Sequence, residues 1–479
     1  MALPHILVFF IITATVGVFV PRRWLGWILL IASVVSIFWL QPATPVRNLD
    51  FWFPTASIVL AILAWAVTRS SKETTPADLA SALVVLGVIL AIGLTRYLGP
   101  LCCLTPSRPP EFGRIALVLG LVSMTAVIPA RLFPHNRILV SLSILFLIGL
   151  FFVLKTSSLG HAASAWLRGL AGQPAVLASA LDLRWLGFSY LAFRLIHALR
   201  DHQAGMLPPY SLSEFITYAV FFPAYTAGPI DRSQHFIGEL RQAKAHKTQK
   251  SSAFANLSTG SQRILLGIFK KFVLADSLAL IALNSQNAVQ TSSGFWMWVM
   301  LYAYTLRIYF DFAGYTDIAI GFARLLGIKL PENFDRPYLK QNLTAFWNSW
   351  HITLASWFRA YFFNPVTRTL RSQPHTLPTW AIIFIGQFGT MLLIGMWHGI
   401  TWTFLAWGAW HAFGLFAHNR WTGWIHPQLA AVELHPLLRR TLNAASWLIT
   451  FHYVALGWVW FALPTPSQVG IVLARLFGR

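Results

Sequence analysis

The chain has 479 residues, of which 56% are hydrophobic and only 11% charged. Soluble domains carry about 25% charged residues, so this chain lacks the polar surface to cover itself in water, and the bilayer is the fitting solvent. Its 36 Lys and Arg against 15 Asp and Glu give a net charge of +21, but the basic residues lie between apolar runs. That pattern matches cytoplasmic loops facing anionic lipid rather than a nucleic-acid surface, so no nucleic-acid partner is expected.

Runs long enough to span a bilayer as helices begin at roughly 3–20, 24–40, 51–68, 79–98, 114–133 and 137–155. The first lacks a basic leader segment and an AxA site, and is read as a retained helix rather than a signal peptide. Further runs lie near roughly 180–199, 211–230, 260–284, 294–328, 377–396, 397–418 and 442–463. The fold class expected is an all-α polytopic membrane protein with about 11–13 transmembrane helices plus re-entrant or interfacial helices. Trp24, Trp52, Trp65, Trp166 and Trp185 stand at segment ends, as an interfacial aromatic belt would place them.

Between the runs, Thr68–Asp78, Thr105–Arg114 and Gly238–Thr259 are hydrophilic and read as extramembrane loops. Arg241, Lys244, Lys247 and Lys250, followed by Arg263, Lys270 and Lys271, mark the cytoplasmic side. Cys102 and Cys103 are adjacent, and no CxxC or Cys/His cluster exists, so no metal is expected. No internal repeat supports an inverted-repeat transporter.

Ionisable residues inside apolar segments are costly and therefore informative. In residues 306–338, Asp311 and Asp317 interrupt an aromatic run, and Arg324 lies two helical turns past Asp317, a spacing that allows an Asp317–Arg324 pair through an intermediate group. In 342–365, a continuous helix would put Trp347, His351, Ala355 and Arg359 on one face, with Asn348 and Trp350 alongside. In 391–414, His398 follows Trp397, with Gly395 and Gly399 leaving room beside it; a continuous helix would carry Trp402 on the same face and turn His411 away. Two such histidines suit proton handling, because the imidazole pKa lies near neutrality and its neutral form can accept a hydroxyl proton.

Six stretches resemble the membrane-bound O-acyltransferase family, in particular its bacterial alginate O-acetylase and D-alanyl-transfer branches. They are LGFSYLAFRLIHALRD (186–201), FFPAYTAGPIDR (221–232), YFDFAGYTDIAIG (309–321), ENFDRPYL (332–339), FWNSWHITLASWFRAY (346–361) and GMWHGITWTFLAWGAWHAFGL (395–415). The resemblance implies a catalytic membrane core over 136–463, after a divergent N-terminal part, 1–135, with a two-helix addition, and before a tail, 464–479. It implies that His398 and His351 are catalytic beside a central tunnel that crosses the membrane; Trp347, Trp350, Asn348, Arg359, Trp397, Trp402, Asp311 and Asp317, singled out above from polarity and spacing, are then expected to bind substrate or line that tunnel. The chain departs from the family pattern at Ser349, where the motif has Arg, and at Ala360, where it has Asp.

The activity implied is O-acyl transfer, most simply of acetyl, from a cytoplasmic thioester to a hydroxyl of an extracytoplasmic polysaccharide or envelope polymer. The donor would be acetyl-CoA or an acyl carrier, a cosubstrate rather than a bound cofactor. The partners implied are membrane lipid, donor, acceptor polymer and a second, extracytoplasmic acyltransferase, in an alginate-like exopolysaccharide setting at the inner or plasma membrane. D-alanyl transfer to a teichoic-acid-like polymer stays open. A proton-coupled transporter or flippase would also use intramembrane His, Asp and Arg, and a non-catalytic scaffold would account for the two departures.

Overall fold

The computed structural model describes residues 2–69, 75–99, 102–128, 136–245, 250–374, 377–429 and 435–478. The fold is all-α: among these residues the only β-type pairing is one isolated bridge, Phe334 to Trp350. Six described helices are long and apolar enough to cross a membrane: Arg22–Leu40, Leu49–Thr68, Pro76–Tyr97, Arg137–Lys155, Thr379–His398 and Pro436–Ala462. The chain is a multi-pass membrane protein. Leu3–Phe19, Phe112–Thr125 and Leu212–Ala224 are shorter apolar helices, and the 294–328 run forms one long helix, Gly294–Leu325.

Several runs are shorter as helices than as hydropathy. The expected 180–199 helix starts at Phe188, after a 3-10 turn at Ala180–Asp182. Asp182, itself buried, causes this: it accepts hydrogen bonds from Ser164 Oγ at 2.6 Å, Arg168 Nε at 2.9 Å and Ser179 N at 3.2 Å. A carboxylate committed to a neighbouring helix cannot continue its own. Conversely, much of Gly238–Thr259, read as a loop, is helical, in Ser233–Ala245 and Lys250–Ile268. Polarity there excluded lipid, but Lys, Gln and Ala are good helix formers. Lys247, residues 70–74 of the first hydrophilic break and residues 129–133 of the fifth run lie outside the described residues.

The chain divides into two compact units, Met1–Ile264 with Ile318–Pro331, and Leu265–Asp317 with Glu332–Arg479. The core of the first gathers Leu30, Val34, Phe38, Phe51, Leu195 and Phe215. Its helix starts are capped in sequence: Thr75 accepts from Asp78 N, and Ser211 accepts from Glu214 N. Of the five expected belt tryptophans, Trp24 and Trp166 are exposed. Trp65 is buried, its indole N–H donating to Tyr210 O, and the Trp185 indole donates to Ser57 Oγ.

In the second unit, Thr379–His398 and Trp402–Leu429 pack closely. A Cβ at Gly395 would lie 2.4 Å from Phe404 O, and one at Gly408 would lie 2.6 Å from Met391 O. Small residues let the two backbones approach this closely. The Gly314 position likewise lies against backbone, 2.7 Å from Gly267 O.

Two outcomes test this packing. Gly408→Val is expected to lower the thermal unfolding midpoint of the detergent-solubilised protein, at a cost of about 1–3 kcal/mol from overpacking. Burial alone would push the Asp182 carboxyl up, but the Arg168, Ser164 and Ser179 donors outweigh it and hold it below its ordinary value. Its ionised form therefore stabilises the fold above the unfolded pKa, and that stability is lost as pH falls through the folded one. Asp182→Asn is expected to cost about 2 kcal/mol at neutral pH, and the gap to wild type should close on acidification below the ordinary carboxylate range in pH-dependent thermal unfolding.

Candidate active site

All the residues that build the site belong to the second unit. Its first fixed point is the backbone at His351. The segment 346–361 is not the continuous helix expected from its spacing. Leu343–Trp347 ends, and a second helix, Ile352–Phe358, starts after His351, whose φ of 43° is left-handed. The cause is a clasp with the preceding loop. Asp335 N donates to Ser349 O and Ile352 N donates to Asn333 O, both at 3.0 Å, around the Phe334–Trp350 bridge. Asn333 Oδ1 also accepts from Thr353 Oγ1 at 2.6 Å. A left-handed non-glycine residue costs about 1–3 kcal/mol, so such strain, held by its surroundings, marks functional sites more often than chance.

The clasp takes His351 out of any regular helical face. It is 3% exposed, and neither ring nitrogen has a hydrogen-bond partner among the described residues. Its ring meets Phe312 edge-on at 4.7 Å and Trp397 at 6.0 Å.

His398 is the last residue of its helix; Gly399 breaks the run, and a new helix begins at Trp402. Thr401 caps the new start, accepting from Phe404 N. The break overturns two expectations drawn from a continuous helix. Trp402 does not follow His398 on one face and is 78% exposed. His411 is not turned away: His398 and His411 both meet the Trp407 ring, at 5.5 and 5.0 Å. His398 is framed by Trp397 at 4.5 Å, Phe461 at 4.7 Å and Phe404 at 5.8 Å. Trp397 thus contacts both His351 and His398, and its indole joins the two.

A half-open cavity of about 150 Å³, lined among others by Trp347, Asn348, Arg359, Gln387, Thr390 and Met391, is linked to His398 through the Trp347 and Trp407 rings. Arg359 donates to Asn348 Oδ1 at 2.5 Å. The Trp347 ring, part of the cavity wall, meets Trp407 at 5.7 Å and His411 at 5.1 Å. Cavity, His411, Trp407 and His398 therefore form one connected aromatic assembly.

The remaining predicted residues take other places. Trp350 supports the clasp, packing on Phe334 and Trp458, both at 5.1 Å. Asp311 and Asp317 each pair with a lysine. Lys271 binds Asp311, and Lys270 binds Asp317 at 2.7 Å. Asp317 thus forms its ion pair with Lys270 rather than in the expected arrangement with Arg324, because the Phe269–Ala275 segment brings both lysines alongside. The two lysines carry more than an orientation signal. The helix bearing these aspartates reaches His351 through Phe312. Sequence reasoning missed Phe312, Asn333, Trp407 and Phe461, and discounted His411. Asn333 stood in a quoted motif, but nothing in it announced a clasp partner.

A buried imidazole, His351, and a half-buried one, His398, thus share the Trp397 indole, and paired histidines inside a membrane protein are a candidate site for proton handling. The family's sequence profile matches residues 136–462, and the chain belongs to the membrane-bound O-acyltransferase family. It is 36% identical over 277 residues to the probable alginate O-acetylase AlgI of Pseudomonas aeruginosa, covering 58% of this chain and 48% of that one. It is 30% identical over 298 residues to the teichoic acid D-alanyltransferase of Streptococcus thermophilus, covering 60% of this chain and 71% of that one. It is 32% identical over 272 residues to the peptidoglycan O-acetyltransferase of Helicobacter pylori, covering 56% and 48%. The match thus spans about half the length of the first and third of these relatives.

The clasp makes a specific prediction. Asn333→Ala removes the acceptor of the Thr353 hydroxyl and is expected to cost about 1–3 kcal/mol of stability. Any turnover should fall in the same variant under conditions where it remains folded, because His351 loses its fixed direction. Thermal unfolding and a rate measurement on one preparation check both.

Proposed function

We propose that this protein transfers an acyl group, most simply acetyl, from a thioester donor to a hydroxyl of an extracytoplasmic polysaccharide or envelope polymer. The observation that carries the reading is the convergence of His351 and His398 on Trp397 inside a member of this family. His398 takes the proton from the acceptor hydroxyl as its oxygen attacks the thioester carbonyl. The new C–O bond forms, the C–S bond breaks, and the proton passes to the departing thiolate, leaving an ester and a free thiol. His351, with its ring nitrogens unshared, orients the acyl group or donates to the developing oxyanion. The rings of Trp397, Phe404, Trp407 and Phe461 around His398 limit competing water.

The donor is acetyl-CoA or an acyl carrier thioester, drawn from the cytoplasm at the inner or plasma membrane. A second acyltransferase on the outer side would complete delivery to the polymer, as in an alginate-like exopolysaccharide system. D-alanyl transfer to a teichoic-acid-like polymer is the second reading. It is favoured by the D-alanyltransferase relative, matched over 71% of its length, and by Asp231 in the GPIDR segment.

The test uses the full chain in lipid nanodiscs with labelled acetyl-CoA, a D-alanyl carrier thioester in a parallel arm, and polysaccharide acceptors resolved by mass spectrometry. His398→Ala is expected to reduce transfer by about 10²–10⁴-fold, the usual contribution of general acid–base catalysis. His351→Ala is expected to lower kcat with little change in donor KM, since an oxyanion contact acts in the transition state. Wild-type rates in a folded His398→Ala protein would sink the catalytic assignment.

A further inference from the structure

The cavity lined by Trp347 and Arg359 is built entirely from sequence that carries no carboxylate. No Asp or Glu occurs between Asp335 and Glu433, while Arg336, Lys340, Arg359, Arg368, Arg371 and Arg420 all lie there. Of these cations, Arg359 is the one that lines the cavity. Its hydrogen-bond partner is the neutral Asn348 side chain, and no carboxylate lies within ion-pair distance of it among the described residues. Lys340, by contrast, is paired with Asp335 at 2.8 Å.

The rest of the lining offers both donors and acceptors. Asn348 spends its oxygen on Arg359, which leaves its NH₂ group as the free end. The indole N–H of Trp347 is buried without an acceptor among the described residues. The Thr390 hydroxyl donates its proton to Gly386 O. The buried acceptor Gln387 Oε1 has no partner among the described residues. Arg359 is exposed, so an anion can reach its guanidinium, whose planar fork suits a carboxylate or phosphate.

We infer that Arg359, with Asn348 and Trp347, forms an anion subsite that holds a carboxylate or phosphate group of a substrate while the reacting hydroxyl or thioester lies at the histidine pair. This rests on the acyl-transfer reading above. The cavity, at about 150 Å³, is well below the ~300 Å³ at which sites for whole drug-sized ligands begin, so it takes one group of a larger molecule. Two sources share the chemistry: a sugar-acid carboxylate on the acceptor, or a phosphate on the donor. The departure at Ala360 fits the same role, since an acidic residue there would place a negative charge next to Arg359 in sequence.

The experiment compares wild type, Arg359→Gln and Arg359→Lys in nanodiscs. The acceptor pair is an oligouronate and its carboxyl-reduced, neutral counterpart. The donor pair is acetyl-CoA and acetyl-pantetheine, which lacks phosphate. Wild type is expected to prefer the anionic member of one pair, and Arg359→Gln to reduce that kcat/KM ratio by about tenfold, the value of one charge-assisted contact. Arg359→Lys, which keeps the charge but loses the fork, should fall between them. A change confined to the acceptor pair assigns a carboxylate, and one confined to the donor pair assigns a phosphate. Ratios equal in wild type and Arg359→Gln on both pairs would overturn the subsite. If wild type transfers nothing, the acyl-transfer reading fails by itself, and direct binding of oligouronate and of CoA decides the subsite: at least tenfold weaker binding of one probe to Arg359→Gln supports it, and equal binding of both refutes it.

Discussion

The clasp between residues 333–335 and 349–353 is the constraint on which the histidine site depends. An uninterrupted helix would carry His351 at a position set only by its phase, shared with whatever lies one turn above and below. Two backbone hydrogen bonds, one isolated bridge and the Asn333–Thr353 contact instead stop one helix, force His351 into a left-handed conformation and start another. The strain is outweighed because the clasp also satisfies backbone groups at the broken ends, which is essential where water is scarce. His398 is placed by the same device in another form, at a helix end closed by Gly399 and the Thr401 cap. Both imidazoles therefore stand at interruptions.

Around these interruptions, aromatic rings do the positioning that hydrogen bonds do in water-exposed sites. Trp397 joins His351 to His398, and Trp407 joins His398 to His411. Ring contacts fix orientation without consuming the imidazole nitrogens, which leaves those of His351 unshared by protein. The costly charges nearby are handled differently. The buried Asp317 is neutralised by Lys270, as a buried carboxylate requires, and the exposed Asp311 pairs with Lys271. Arg359 lacks such a carboxylate, and that contrast within one unit gives the cavity its electrostatic character.

Much of the first unit follows the same economy. Asp182 gathers Ser164, Arg168 and Ser179, and the buried Arg194 donates to Ala219 O and Ala224 O. In each case a polar group that an apolar environment would penalise is satisfied by partners mostly on other elements.

The amino-acid sequence by itself determined that this is a helical membrane protein, because low charge and long apolar runs are properties of composition and need no contacts to be read. It also singled out His351, His398, Trp347, Asn348, Arg359 and Trp397, since a polar residue in an apolar segment is conspicuous before anything is folded. What it could not determine was where helices stop. The break at His351 depends on Asn333 and the break at 180–187 on Arg168, partners that local periodicity does not register. Facial arithmetic therefore failed at Trp402 and His411, where one interrupted turn resets the phase of everything after it. The lysine partners of Asp311 and Asp317, 40 and 47 residues away, and the rings of Phe312 and Phe461 beside the histidines, were decided by tertiary structure alone, because only packing brings such distant residues within contact.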